Sequence, residues 1–233
     1  PARAKAAASG VCAAGANVLD IGLSGTEEMY WAVTSQQACA GIEVTASHNP
    51  IDYNGMKIVK RRYETLNEED FCAIQELAEG GCFSATSREG KVLTRAAEAR
   101  CTYVDKLMGF VMPKDLKPLK IVVNAGNGAA GPSFDALAGA LSAAGANADF
   151  IRVHHTPDPS FPNGIPNPLL PENHAATADV VRSEGADFGI AFDGDFDRCF
   201  FFFVFYTYIR GKYVFAFLAE AYFTIEAQTK LIL

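Results

Sequence analysis

The sequence predicts an α/β protein: two consecutive mixed-sheet units with helices on both faces. Three observations lead there. Strand-length apolar runs alternate with helix-length segments along most of the chain. The alternation stops at a proline-bounded stretch, 113–118, and then restarts. Turn-forming or acidic loops follow two of the apolar runs, where an open α/β sheet presents its functional groups.

The bulk properties fit a globular chain. It has 233 residues, 49% apolar and 20% charged, enough for one large domain or two ordinary ones. With 27 acidic and 20 basic residues the net charge is −7, which argues against a nucleic-acid partner. No apolar run reaches the ~18 residues of a membrane span. The start, 1–8, lacks the apolar core of a secretory signal. The six cysteines form no C-x-x-C pair, so reduced, partly buried thiols are expected rather than a disulfide framework. A cytoplasmic protein with no membrane partner is the expectation.

Taken in order, the alanine-rich residues 1–16 read as a helix that stops near Gly15. A short strand follows at 18–22. Thr26 with Glu27 and Glu28 is a helix-start signature, giving a helix at 26–33 capped by Thr26. Strands are expected at 41–44 and 56–59, with a tight turn forced between them by Asn49-Pro50. Phe71, Ile74, Leu77 and Ala78 share one face of an amphipathic helix at 68–78. Residues 80–95 read as a loop and 98–108 as a helix.

After the link come a strand at 119–123, a glycine loop at 126–131, a helix at 133–144 and a strand at 150–153. Six prolines make 156–173 a long ordered loop. A helix at 175–184 and a strand at 188–192 complete the second unit. The aromatic run 199–208 lacks polar alternation and turn residues; a buried strand is one reading of it. A helix is expected at 213–223. The division is therefore a first unit at 1–112, a second at 113–208 and a remainder at 209–233.

Chemistry concentrates in two stretches. The first is Thr45-Ala46-Ser47-His48-Asn49-Pro50, which holds a serine hydroxyl on a tight loop at a strand end. A bare serine needs a base to act as a nucleophile. His48 adjoins it, but neighbours on an extended segment point opposite ways, so a Ser-His-Asp hydrolase is not expected. A phosphorylated Ser47 would carry roughly −1.5 to −2 charge and would need a cation.

The second stretch is Asp193-Gly194-Asp195-Phe196-Asp197-Arg198. Carboxylates at alternate positions can converge on one hard cation. A calcium EF-hand fails on spacing, because Arg198 stands where glycine is required and Val204 where glutamate is. Three close carboxylates repel one another without a metal. Three protein ligands leave positions open for a phosphate oxygen, which suits magnesium. The plainer alternatives are a structural turn at 47–50 and a solvated acidic turn at 193–197. Arg198 either grips phosphate oxygens or pairs with an acid of its own loop. Lys57 is either functional or an ordinary surface lysine.

Together these stretches, with Asp52-Tyr53-Asn54-Gly55-Met56-Lys57 and the segment 161–173, resemble the α-D-phosphohexomutase family. The resemblance covers about 18–198. It implies a phosphoserine at Ser47 and Mg2+ held by Asp193, Asp195, Asp197 and Ser47. It implies Lys57 as general acid/base at the sugar hydroxyl, with His48 and Arg198 in the same catalytic site. An ordinary lysine pKa of ~10.4 would have to be lowered by neighbours for that role. The implied reaction interconverts hexose 6-phosphate and hexose 1-phosphate, mannose being the expected sugar, through hexose 1,6-bisphosphate. The family has four domains, and its opening G-T-S-G-x-R-G strand, G-E-x-S loop and R-x-S-x-T loop are not found here. A non-catalytic fragment that binds metal or a partner is therefore the alternative.

Two weaker patterns remain. Gly126, Gly128 and Gly131 form a G-x-G-x-x-G between strand and helix, the mark of an NAD-dependent oxidoreductase, but Asp149 precedes the next strand rather than ending it. His154, His155 and His174 suggest zinc but lack a fourth ligand.

Overall fold

The computed structural model describes residues 2–50, 52–83, 86–203 and 208–225. Two α/β units follow one another. The first contains α1 (Ala2–Ala13), β1 (Val18–Asp20), α2 (Thr26–Ser35), β2 (Ala40–Val44), β3 (Met56–Lys60), α3 (Glu68–Gly80), β4 (Val92–Thr94) and α4 (Ala96–Met108). β1 pairs with β4 in parallel and β2 with β3 antiparallel. Met29 and Val33 of α2 pack on Val59 of β3 to form this unit's core.

The second unit contains β5 (Leu119–Asn124), α5 (Ala130–Ala143), β6 (Ala148–Val153), α6 (Ala175–Ser183), β7 (Phe188–Phe192) and β8 (Cys199–Phe203), and α7 (Gly211–Ile225) follows. Its sheet runs β6-β5-β7-β8, parallel except for β8. Successive side chains of β5 leave opposite faces of the sheet. Val122 thus packs with Val181 beside α6, and Val123 with Phe134 and Ala138 of α5. Both valines are fully buried, so a helix covers each face of the central strand.

Several expectations need correction. The expected loop at 80–95 contains β4, three residues too short to show alternation, and the Val18 N–H bonds to the Lys91 carbonyl beside it. Thr26 is not the cap of α2: Gly25 holds that position and its N–H donates to Glu28. α5 starts at Ala130, inside the expected glycine loop, because Pro132 in a first turn has no N–H to lose. Phe71, Ile74 and Leu77 of α3 face outward rather than into a core. The cysteines are unbonded as expected, but only Cys12 is buried.

The aromatic run gains a physical account as far as Phe203. β8 pairs with β7, and Phe202 is buried against Ala178 of α6 and Ala191 of β7. Phe201 and Phe203 lie on the other face, against Phe188. Residues 204–207 of that run, and 226–233 of the final segment, lie outside the described residues.

Candidate functional site

Ser47 sits on the loop between β2 and β3. Its N–H donates to Thr45 Oγ1 at 2.8 Å, and Asn49 N–H closes a turn on the Ala46 carbonyl at 3.0 Å. The turn puts Ser47 in the left-handed region, φ +53°, uncommon for a residue with a side chain. That corrects the expectation that Ser47 and His48 point apart. The chain is not extended there, and Ser47 Oγ lies 3.2 Å from His48 Nδ1.

Asp193 to Arg198 follow β7, and this loop meets the serine loop backbone to backbone. A side chain at Gly194 would collide with the Ser47 carbonyl oxygen. Below it, Ala129 N–H donates to the Gly194 carbonyl at 3.0 Å, and a Cβ at Gly128 would stand 2.6 Å from that oxygen. The glycine loop therefore supports the acidic loop. Three further amides of this loop are taken, by Asn124 Oδ1 at Gly126, the His154 carbonyl at Asn127 and the Ala125 carbonyl at Gly128. Asp149 lies at the start of β6 rather than at its end, so the NAD-binding alternative is not supported.

The seven expected side chains, Ser47, His48, Lys57, Asp193, Asp195, Asp197 and Arg198, are brought together. Ser47 Oγ donates to Asp193 Oδ2 at 2.9 Å and accepts from Arg198 Nη2 at 3.2 Å. Arg198 also grips Asp193 Oδ2 through Nε at 3.0 Å and Nη2 at 2.6 Å, and touches His48 Nδ1. Arg198 thus pairs with an acid of its own loop and also reaches the serine oxygen. Lys57 Nζ donates to Asp195 Oδ2 at 2.7 Å, to Asp197 Oδ2 at 2.6 Å and to Thr26 Oγ1 at 3.0 Å. It is not an ordinary surface lysine.

Electrostatics follow from these contacts. Burial pushes the Asp193 carboxyl above its usual range, against the pull of Arg198 and Ser47. Burial also acts upward on Asp195, but Lys57 and the Thr45 and Thr26 hydroxyls outweigh it and hold that group below its usual range. Burial alone would lower Lys57. The hydrogen bonds and charges of Asp195 and Asp197 overcome it, and the ammonium is raised above its ordinary value. This is opposite to the lowering expected for a base, and the cause is two carboxylates on one amine.

One carboxylate oxygen from each of Asp193, Asp195 and Asp197 lies within 4.8 Å of the others. Asp195 Oδ1 is buried and has no hydrogen-bond partner among the described residues. An acceptor stranded in a cluster of hard oxygen ligands is what a divalent cation satisfies, so these residues fit a metal ion. Among the described residues His154, His155 and His174 join no such cluster of three ligands.

Sequence reasoning missed four residues around the site. Thr26 was read as a cap. Thr45 was read only as part of the loop, yet its hydroxyl donates to Asp195 Oδ2 at 3.0 Å. Glu43 accepts from the Ser24 hydroxyl at 3.1 Å, and burial carries its carboxyl up to about 7. An acid inside an apolar strand run was the available signal. Glu28 of α2 is 4% exposed and accepts from Arg100 of α4 at 3.1 Å and from Ser133 of α5 at 2.8 Å, pinning the two units together.

Comparison with known proteins agrees with this geometry. Residues 1–83 match the family described as phosphoglucomutase/phosphomannomutase, alpha/beta/alpha domain I, and residues 102–204 match its alpha/beta/alpha domain II. A phosphomannomutase of Salmonella typhimurium is 49% identical over 228 residues, 97% of this chain and 50% of that protein. Phosphohexose mutases of Xanthomonas campestris are 46% identical over 222 residues, 95% of this chain and 48% of theirs. A crystal structure of a phosphoglucomutase/phosphomannomutase family protein from Burkholderia thailandensis superposes with a TM-score of 0.81 at 30% identity, covering 95% of this chain and 47% of that one. The chain spans about half the length of the curated relatives it matches.

Proposed function

The chain belongs to the phosphoglucomutase/phosphomannomutase family, and from that premise we propose that it carries the phosphoserine and metal-holding part of a hexose phosphate mutase. The substrates are hexose 6-phosphate and hexose 1-phosphate, mannose first, with hexose 1,6-bisphosphate as the intermediate. The metal is magnesium, held by Asp193, Asp195, Asp197 and phosphorylated Ser47. The compartment is the cytoplasm; among the described residues no helix is long and apolar enough to cross a membrane. The working division is a serine-loop unit at 1–112 and a metal-loop unit at 113–208, with 209–233 either the start of a further unit or a tail.

The observation that carries the reading is Ser47 Oγ within hydrogen-bond reach of Asp193, Arg198 and His48 together. In this reading the Oγ–P bond forms as the bond from phosphorus to the sugar oxygen breaks. His48 Nδ1 is placed to take the serine proton, and the protonated Lys57 to supply one to the sugar oxygen. In the return transfer the Oγ–P bond breaks as the new bond from phosphorus to the sugar oxygen forms; the sugar hydroxyl gives its proton to Lys57, and His48 returns its proton to Ser47 Oγ. Arg198 holds the oxygen that gains or loses phosphorus. Magnesium held by Asp193, Asp195 and Asp197 would supply positive charge to offset that of the transferring group; such catalysis is mainly positioning and electrostatic. The test is a pulse of the Ser47-phosphorylated chain with mannose 6-phosphate and magnesium. Appearance of a hexose bisphosphate supports the reading, and phosphate that stays on the protein or passes only to water contradicts it.

A further inference from the structure

We propose that Thr26 is a positioning residue that divides the two oxygens of Asp195, one to Lys57 and one to the cation. The inference rests on the metal and acid/base roles proposed above. Thr26 is the first residue of α2 and is 1% exposed. It is fastened to the acidic loop twice. Its backbone N–H donates to the Asp195 carbonyl at 3.1 Å, and its Oγ1 donates to Asp195 Oδ2 at 3.1 Å. The same Oγ1 accepts from Lys57 Nζ at 3.0 Å.

A hydroxyl has one proton to give and two lone pairs to receive with. At Thr26 the proton goes to a metal-loop carboxylate and a lone pair to the acid/base lysine. The helix does not use it: the cap position is Gly25, and the hydroxyl's bonds go to Asp195 and Lys57. A threonine kept only for packing would not need its hydroxyl aimed at two functional groups.

The consequence lies at Asp195. Oδ2 receives three donors, Lys57, Thr26 and Thr45. Oδ1 is left buried with no partner among the described residues. Rotation of the carboxylate would exchange these environments, and the two hydroxyls oppose it. Thr45 joins the carboxylate to the Ser47 backbone N–H, whereas Thr26 joins the carboxylate to the lysine. Thr26 thus sets where the acid/base amine stands relative to the oxygen offered to the metal. The groups come from α2, β3 and the loop after β7, so neither unit alone builds the arrangement.

The test uses the whole chain and Mn2+ as the probe, read by the electron paramagnetic resonance signal of free ion. Thr26→Val keeps the shape and removes the hydroxyl; Thr26→Ser keeps the hydroxyl and removes the methyl group. Thr26→Val should weaken Mn2+ binding by about 10–100-fold, as loss of a ligand-orienting partner does. Thr26→Ser should bind Mn2+ as the unsubstituted chain does. The rate of Ser47 phosphorylation by a hexose 1,6-bisphosphate should follow the same order. If Thr26→Val does not fold, Thr26→Ala is read by the same criteria. Unchanged Mn2+ affinity in the hydroxyl-less variant overturns the proposal. So does a serine variant as impaired as the valine one, which would make the methyl group's packing the cause, and so does a parent chain that binds no Mn2+. The binding arm contains no sugar. Loss with valine and recovery with serine, in a chain never phosphorylated at Ser47, would uphold Thr26 while removing the mutase reading.

Discussion

Asp195 Oδ2 and Lys57 Nζ stand 2.7 Å apart, one side chain from the loop after β7 and the other from β3. The pair links a carboxylate of the acidic loop to the amine proposed above for proton transfer. Asp195 is 4% exposed and Lys57 29%, so the contact is only partly screened by water.

Lys57→Met removes that proton donor while keeping length and apolar bulk. Phosphoryl transfer between Ser47 and a sugar should fall by roughly 10²–10⁴-fold, the usual contribution of a general acid/base. The concentration of hexose bisphosphate needed for half-maximal rate should change little. Rapid-quench measurement of Ser47 phosphorylation across sugar concentrations separates the two effects. A rate close to that of the parent chain would return Lys57 to a purely structural role.

Glu43 gives a pH prediction. Burial first, with Asp195 and Glu28 adding, raises its carboxyl from 4.5 to about 7, against the pull of Ser24 and Lys57. The folded chain then binds more protons than the unfolded one between those values, so stability declines with rising pH there. Glu43's contribution is fully present below pH 4.5 and is lost as pH passes about 7. Glu43→Gln, neutral throughout, should flatten that decline in Tm, at about 2–4 °C for each kcal/mol involved. Thermal melts of both proteins across this range make the comparison. Parallel Tm curves would contradict it.

Glu28 joins the two units through Arg100 and Ser133. Breaking a buried ion pair by removing one partner costs about 3–5 kcal/mol. Arg100 is 23% exposed and can recover some hydration, which puts Glu28→Gln at the low end. The expected fall in Tm is on the order of 10 °C. Ser133→Ala should cost about 1 kcal/mol, a single hydrogen bond's worth. Calorimetry on the three proteins orders the effects, and a larger loss at Ser133 than at Glu28 would contradict the assignment.

The sequence announced what is contiguous. Ser47, Asp193, Asp195, Asp197 and Arg198 were legible because each loop is written in a few adjacent residues after an apolar strand. The alternation of strands and helices gave both units. What was not legible depends on distance or on one torsion angle. Thr26 meets Asp195 across 169 positions, and Glu28 meets Ser133 across 105, so local pattern gives no sign of either contact. His48 was misplaced because the left-handed turn at Ser47 is not encoded by a glycine. The glycine loop resembled a nucleotide site because close backbone packing and phosphate binding ask for the same residue.

The central claim is that Ser47 carries the transferred phosphoryl group. The most direct measurement is peptide mass mapping after incubation with magnesium and a hexose 1,6-bisphosphate. The account predicts phosphate on the peptide containing Ser47, lost on Ser47→Ala. An unmodified Ser47 peptide under those conditions, or phosphate at another residue, would contradict it.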